Sequence, residues 1–304
     1  MKRDILSAKD LEKDLEDIID ISMEFKKNRY KSYDSLHNRV LAMIFEKPST
    51  RTRTSLEVAM EQLGGHAIYM NPNEMQLGKS ETISDTGYVL SRMVDAITYR
   101  AYKHIDIVNL AKSTSVPVIN ALDDVEHPLQ IVADFMTIKE KKNRFSGLKM
   151  AFVGDGNNVA NSLMIGAGIL GIDIYIASPK GYEPQKEFVD IAKGIAKEHG
   201  SSINILNDPI QAVSNADIVY TDVWVSMGQE ELKEVKEREF TKYQVNSELV
   251  QNAKKDYIFM HCLPAHRGKE VTNEVADSIN SVIFDEAENR LHSAKGVLYT
   301  LLFY

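Results

Sequence analysis

Twice along this chain, short apolar stretches alternate with stretches whose apolar residues recur at i, i+3, i+4 and i+7. The first kind predicts buried strands and the second amphipathic helices. In the first half, strands are expected over 40–45, 67–70, 96–99 and 117–120, and helices over 51–63, 82–93 and 105–112. A further helical pattern runs from His127-Pro128 to about Lys142, and the first 25 residues read as one amphipathic helix with Leu11, Leu15, Ile18, Ile21 and Phe25 on one side. The second half restarts the rhythm, with strands over 150–153, 172–177, 203–206, 217–220, 257–260 and 281–284 and helices over 162–170 and 187–197. Two alternating halves imply an α/β chain with two open, mostly parallel sheets carrying helices on both faces. The basic, glycine-containing stretch Lys141–Gly147 is the natural boundary, giving domains over 1–143 and 144–285. The tail over 286–304 reads as a C-terminal helix returning to the first domain. Ligands of such sheets bind beyond the C-terminal strand ends, so the expected site is a central cleft between the domains.

Within the first repeat, Ser49-Thr50-Arg51-Thr52-Arg53 falls where a strand turns into a helix. Free backbone N–H groups point outward there, and the helix dipole is positive. Arginine adds a planar fork of donors that matches phosphate. The pattern points to a small anion, best a phosphate; a serine cap with two solvated arginines is the plain alternative. Net charge agrees with a small-molecule partner. Thirty-six basic against 44 acidic residues give −8, which argues against nucleic acid or an anionic membrane as the main partner. The single cysteine, Cys262, allows no internal disulfide and fits a cytoplasmic setting. Neither an apolar signal core nor a stretch long enough to span a bilayer is expected.

Other polar clusters fall at expected strand ends or helix starts. Pro128 suits the first helical position, leaving His127 and Gln130 near a helix start. A neutral imidazole there could donate to an oxygen gaining negative charge, or simply cap the helix. Arg100 ends a strand and would point into the cleft, unless it is a surface residue. Gly154-Asp155-Gly156-Asn157-Asn158 matches a dinucleotide fingerprint only in part. Val159 stands where the third glycine would be, and the next strand ends in Ser178-Pro179-Lys180 with no acidic residue for a ribose. The loop reads as a polar ligand loop with Asn158 and Asn161 as candidates, or as a capped turn. Asp222 through Gly228 puts a carboxylate and the Ser226 hydroxyl in one loop, suited to a ligand ammonium or to a surface turn. Cys262, beside His261, admits a nucleophile, a metal ligand or a lining role. Adjacent strand residues face opposite ways and no second ligand has metal spacing, so no metal or organic cofactor is expected.

Four of these segments, in this order, resemble the carbamoyltransferases and, within them, the ornithine branch. Ser49 to Arg53 is similar to the family's carbamoyl-phosphate motif and His127-Pro128-Leu129-Gln130 to its carbamoyl motif. Asp222 to Gly228 and His261-Cys262-Leu263-Pro264 are similar to the segments that mark the ornithine branch. The resemblance covers essentially the whole chain. It implies that carbamoyl phosphate passes its carbamoyl group to the δ-amine of ornithine, giving citrulline and phosphate, as in arginine biosynthesis. It implies a carbamoyl-phosphate domain over 1–143, an ornithine domain over 144–285 and a homotrimer or a multiple of trimers.

Carried over by residue, the resemblance gives Ser49, Thr50, Arg51, Thr52 and Arg53 to the phosphate, with Arg100 and Gln76. Thr52, Arg100 and His127 would hydrogen-bond the carbamoyl oxygen. Gln130 and the carbonyls of Cys262 and Leu263 would receive the carbamoyl NH₂, with Arg290 close by. Asn158, Asp222, Ser226 and Met227 would hold the α-amino and α-carboxylate groups. The candidate catalytic residues are Arg53, Arg100, His127 and Cys262. The segment Gln76-Leu77-Gly78-Lys79-Ser80 departs from many relatives, and Lys79 receives no role. Aspartate or putrescine are the alternative acceptors. A second carboxylate on aspartate would want cations, whereas the 222–228 loop offers Asp222 and Ser226.

Overall fold

The computed structural model describes residues 2–29, 31, 33–75, 80–225 and 230–303. The chain divides into two compact units, Met1–Met136 with Glu288–Tyr304, and Thr137–Ala287.

The first unit runs α1 (Leu15–Lys27), β1 (Val40–Phe45), α2 (Thr50–Gln62), β2 (His66–Met70), α3 (Ile83–Leu90), β3 (Ala96–Arg100), α4 (His104–Ser113), β4 (Val118–Leu122) and the start of α5 (Pro128–Lys142). The four strands form one parallel sheet in the order β2-β1-β3-β4. Leu41, Ala42, Met43 and Ile44 are all fully buried, as expected of a parallel strand covered on both faces. Each buried Leu or Ile contributes about 1.5–3 kcal/mol. The chain leaves β1 toward β2 and comes back to β3 on its other side. The reversal of strand order therefore lies between β1 and β3, where open α/β sheets bind ligands.

The N-terminal segment differs from the single helix expected of it. Ile5 bridges to Ile119, and Ser7 with Asp10 forms a reciprocal cap on a short 3-10 turn over Ala8–Leu11. The α-helix starts only at Leu15, with Glu16 and Asp17 in its first turn and Lys26 and Lys27 in its last, matching the dipole. Leu15, Ile18, Ile19, Ser22 and Phe25 are its buried residues, while Ile21 is half-buried. Lys26 in the last turn of α1 and Arg29 just beyond it meet the C-terminal helix α12 (Ile283–Leu302): Lys26 Nζ to Asn289 Oδ1 at 2.8 Å and Arg29 to Glu288 at 3.0 Å. The Phe25 and Tyr299 rings meet edge to face at 5.6 Å. The helices approach so closely at Gly296 that an added Cβ would lie 2.1 Å from Ser22 Oγ and 2.8 Å from the Ile18 carbonyl oxygen. The C-terminal helix thus returns to the first unit as expected.

The second unit contains β5 (Lys149–Val153), α6 (Asn158–Ile169), β6 (Asp173–Ala177), α7 (Lys186–Glu198), β7 (Ile203–Leu206), α8 (Pro209–Val213), β8 (Ile218–Tyr220), α9 (Lys233–Glu239), α10 (Ser247–Val250), β9 (Ile258–Met260) and α11 (Asn273–Ala276). Its sheet is parallel in the order β7-β6-β5-β8-β9, so its reversal lies between β5 and β8. Residues Val159 through Ile169 of α6 are all buried, and the helix is apolar around most of its circumference. It begins four residues before the expected start, because Asn157 Oδ1 caps it by accepting from the N–H groups of Val159 and Ala160. The strand expected over 281–284 is instead the entry to α12. Only Ser281 bridges to Phe259, and Asp285 and Glu286 then favour a helical first turn.

Candidate active site

In the first unit, the turn after β1 and the end of β3 meet at the strand-order reversal. Ser49 caps α2, its Oγ accepting from the Thr52 N–H at 3.3 Å. Arg100 is the last residue of β3, at a register shift between Tyr99 and Arg100, and is only 4% exposed. His127 immediately precedes α5 and is equally buried. Burial pushes the His127 pKa well below the ordinary imidazole value, and Arg290, Arg100 and Arg51 push it further the same way. The ring is therefore neutral at physiological pH, with one N–H to donate and one nitrogen to accept.

Arg290 on α12 ties this cluster together within the unit. Its Nη2 donates to Thr52 Oγ1 at 2.9 Å and its Nη1 donates to Gln130 Oε1. Gln130 Nε2 in turn donates to Asp134 Oδ1 at 2.8 Å. Thr52 Oγ1 accepts from a cation, which leaves its O–H to donate elsewhere. The result is a cluster of cationic and neutral donors at a helix N-terminus, suited to an anion whose carbonyl oxygen gains charge. Arg53 is placed differently from Arg100. It is exposed, its Nε donates to Glu57 Oε1 at 2.9 Å, and its guanidinium stacks 3.8 Å from the Tyr69 ring centre. Thr50 is exposed and Arg51 half-buried.

In the second unit, the reversal between β5 and β8 brings the Gly154–Asn157 loop beside Asp222. Asn157 Nδ2 donates to Asp222 Oδ2 at 2.7 Å, and the Cys262 thiol donates to Asp222 Oδ1 at 3.2 Å. Thr221 Oγ1 donates to the Val153 carbonyl at 2.6 Å, locking the ends of β8 and β5 together. Asp222 is 6% exposed and Asn158, the first residue of α6, is half-buried. Asn161, one turn further along α6, is buried.

His261 fixes the segment that carries Cys262. Its N–H donates to Glu286 Oε2 at 3.0 Å, and its Nδ1 accepts from the Leu263 N–H at 2.9 Å. With Nδ1 accepting, Nε2 carries the proton toward Glu270 Oε1 at 3.3 Å. Leu263 sits in the left-handed region at φ 59°, and the His261 contact supports that conformation. The expectation that His261 and Cys262 face opposite ways is corrected. The strand β9 ends at Met260, and the residues beyond it do not keep strand alternation. Ligand-type atoms of Asp222, His261 and Cys262 consequently fall within 4.8 Å of one another. A cation there would compete with the contacts from Asn157, Leu263 and Glu270, so these groups are built for one another more than for a metal.

Gln76, Lys79, Ser226, Met227 and Gly228 lie outside the described residues. Sequence reasoning missed Asn157, which both caps α6 and holds Asp222. A cap signal at the start of a strongly apolar helix would have found the first role, but only the strand order reveals the second. None of the helices among the described residues is long and apolar enough to cross a membrane.

Residues 3–140 match the family model described as "Aspartate/ornithine carbamoyltransferase, carbamoyl-P binding domain", and residues 146–301 match "Aspartate/ornithine carbamoyltransferase, Asp/Orn binding domain". A Thermoplasma acidophilum protein named "Ornithine carbamoyltransferase, catabolic" is 72% identical over 303 residues, covering 100% of this chain and 99% of the relative. A Pyrococcus furiosus protein named "Ornithine carbamoyltransferase, anabolic" is 56% identical over 268 residues, covering 88% and 85%. The solved structure of ornithine carbamoyltransferase from Pyrococcus furiosus superimposes with a TM-score of 0.96 at 52% identity, covering 99% of this chain and 97% of that one.

Proposed function

Since this chain belongs to the aspartate/ornithine carbamoyltransferase family, we propose that it transfers the carbamoyl group of carbamoyl phosphate to the δ-amine of L-ornithine, giving L-citrulline and phosphate. One observation carries the reading furthest: a buried, neutral His127 at the start of α5, beside Arg51, Arg100 and Arg290, the last of which donates to Thr52 in the first turn of α2. In the reaction, the neutral δ-amine attacks the carbamoyl carbon, charge gathers on the carbamoyl oxygen, and the C–O bond to phosphate breaks. The amine's proton passes to the departing phosphate, which leaves as hydrogen phosphate. Arg51 and the α2 N–H groups bind the phosphate; Thr52, Arg100 and the His127 N–H stabilise the developing oxyanion. Gln130, oriented by Arg290 and Asp134, receives the carbamoyl NH₂. Asp222, oriented by Asn157 and Cys262, takes the ornithine α-ammonium beside Asn158. Positioning two substrates supplies much of the remaining acceleration.

The acid at Asp222 supports an ammonium in preference to the second carboxylate of aspartate. Citrulline formation with ornithine, and none of the corresponding products with aspartate or putrescine, is the expected outcome. Product formation with aspartate alone would overturn the assignment of the acceptor.

We further propose a homotrimer or a multiple of trimers in the cytoplasm. The first unit leaves Ile68, Tyr88, Val89, Met93, Tyr102 and Ile105 between 43% and 72% exposed, which supports burial against another copy. Light scattering should give a mass of three times 34.3 kDa or a multiple of that; a monomer would contradict the assembly.

A further inference from the structure

Asp155 and Lys236 form an ion pair sealed inside the second unit. Lys236 is 2% exposed and Asp155 7%, and Nζ lies 2.6 Å from Oδ2. Neither residue has a substrate contact in the reading above. Taking two charges out of water is costly, and apolar residues of similar volume often serve stability as well. The pair therefore calls for a positional explanation, and its surroundings supply one.

Asp155 belongs to a loop with almost no room to move. The Gly156 N–H donates to the Tyr182 carbonyl at 2.8 Å. A Cβ at Gly156 would lie 2.2 Å from the Pro184 nitrogen and 2.4 Å from the Glu183 carbonyl carbon, both backbone atoms. The Asn157 N–H donates to the Asp155 carbonyl at 2.7 Å, and the Asn157 side chain then holds Asp222. On the other side, Lys236 comes from α9, with its ammonium 5.5 Å from the Tyr182 ring centre and 5.9 Å from that of Phe240. The ion pair thus fastens α9 to the loop that orients Asp222. We infer that Asp155 and Lys236 are a positioning pair, which sets the Asp222 carboxylate for the α-ammonium of the amino-acid substrate. Burial pushes the Asp155 carboxyl up, the Lys236 hydrogen bond and charge draw it down, and nearby Asp222 raises it again. Without the ammonium, two carboxylates would face each other across Asn157 and the geometry at Asp222 would relax. The inference rests on the assignment of Asp222 to the amino acid.

The test is steady-state kinetics on Lys236→Met, Lys236→Arg and Asp155→Asn, with ornithine and carbamoyl phosphate varied separately. Calorimetry adds the binding of L-norvaline, which has ornithine's chain without the δ-amine, to each carbamoyl-phosphate complex. Lys236→Met should raise the ornithine KM and the norvaline Kd roughly tenfold, the scale seen when a group that orients a ligand-binding residue is lost. The carbamoyl-phosphate KM should stay within about twofold, as for a distant independent site. Lys236→Arg should restore most of the ornithine affinity. Should Lys236→Met fail to fold by circular dichroism, Asp155→Asn, which keeps the side-chain shape, carries the same expectation. Equal changes in both KM values, or no change in either, would overturn the positioning role while leaving the transferase reading intact. A wild-type protein that makes no citrulline and binds no norvaline would overturn both.

Discussion

At His127, burial and three arginines combine to keep the imidazole neutral. A protonated ring would repel the arginines beside it. This has a consequence for stability. The folded pKa lies below the ordinary value, so as pH falls through about 6.5 the unfolded chain takes up a proton that the native state refuses. Stability contributed by the neutral ring is full above that pH and declines below it. His292 behaves alike: burial and then Lys295 lower it to about 4, with Glu288 opposing. Urea midpoints should fall between pH 7 and pH 5, and His292→Gln should flatten the slope; an unchanged slope would contradict its native neutrality. The two arginines named as catalytic from sequence separate at this scale. Arg100→Ala should cut kcat roughly 10²–10³-fold, as for loss of an oxyanion donor. Arg53→Ala should cost much less, because its guanidinium is engaged by Glu57 and Tyr69. Equal losses would contradict the geometry. The sequence favoured Arg53 over Arg51 as catalytic, although nothing local says which guanidinium a neighbouring strand will capture. Arg290 was legible only through resemblance, as its partners Thr52 and Gln130 are 238 and 160 residues away.

Helices and strands obey their local signals where the signal is periodic. The strand β1 and the helix α2 fall where apolar periodicity put them, because Ser49 caps the helix and Leu63-Gly64 ends it. The signal failed at element ends governed by tertiary contacts: Ile5 pairing with Ile119, and Ser281 touching β9 for one residue before α12 begins. The small helices α8 to α11 were not anticipated, being four to seven residues long and too short for a period to register. Gly296 marks where α12 meets α1. Gly296→Val should destabilise the protein by about 1–3 kcal/mol through overpacking against Ser22 and the Ile18 carbonyl. Thermal denaturation reads this directly, and an unchanged midpoint would contradict the close approach.

Over the whole molecule, two parallel sheets repeat one plan: each reverses its strand order, and each puts polar groups at the reversal. The α/β class and nine of the ten expected strands were legible from alternating periodicity, the tenth being the entry to α12. The strand orders were not, since parallel pairing depends on which strands meet after a crossover. The order decides that Asn157 meets Asp222, and Arg100 the turn after β1. The reaction needs a neutral δ-amine, whose solution pKa is close to the lysine value of about 10.4, so kcat/KM for ornithine should rise from neutral to mildly alkaline pH. A flat profile would contradict attack by the free amine. The most direct measurement is release of phosphate from carbamoyl phosphate with ornithine, aspartate or putrescine, with the ureido product identified. Release with ornithine alone, giving citrulline, is the predicted result; no release with any of the three amines would contradict the assignment of a transferase.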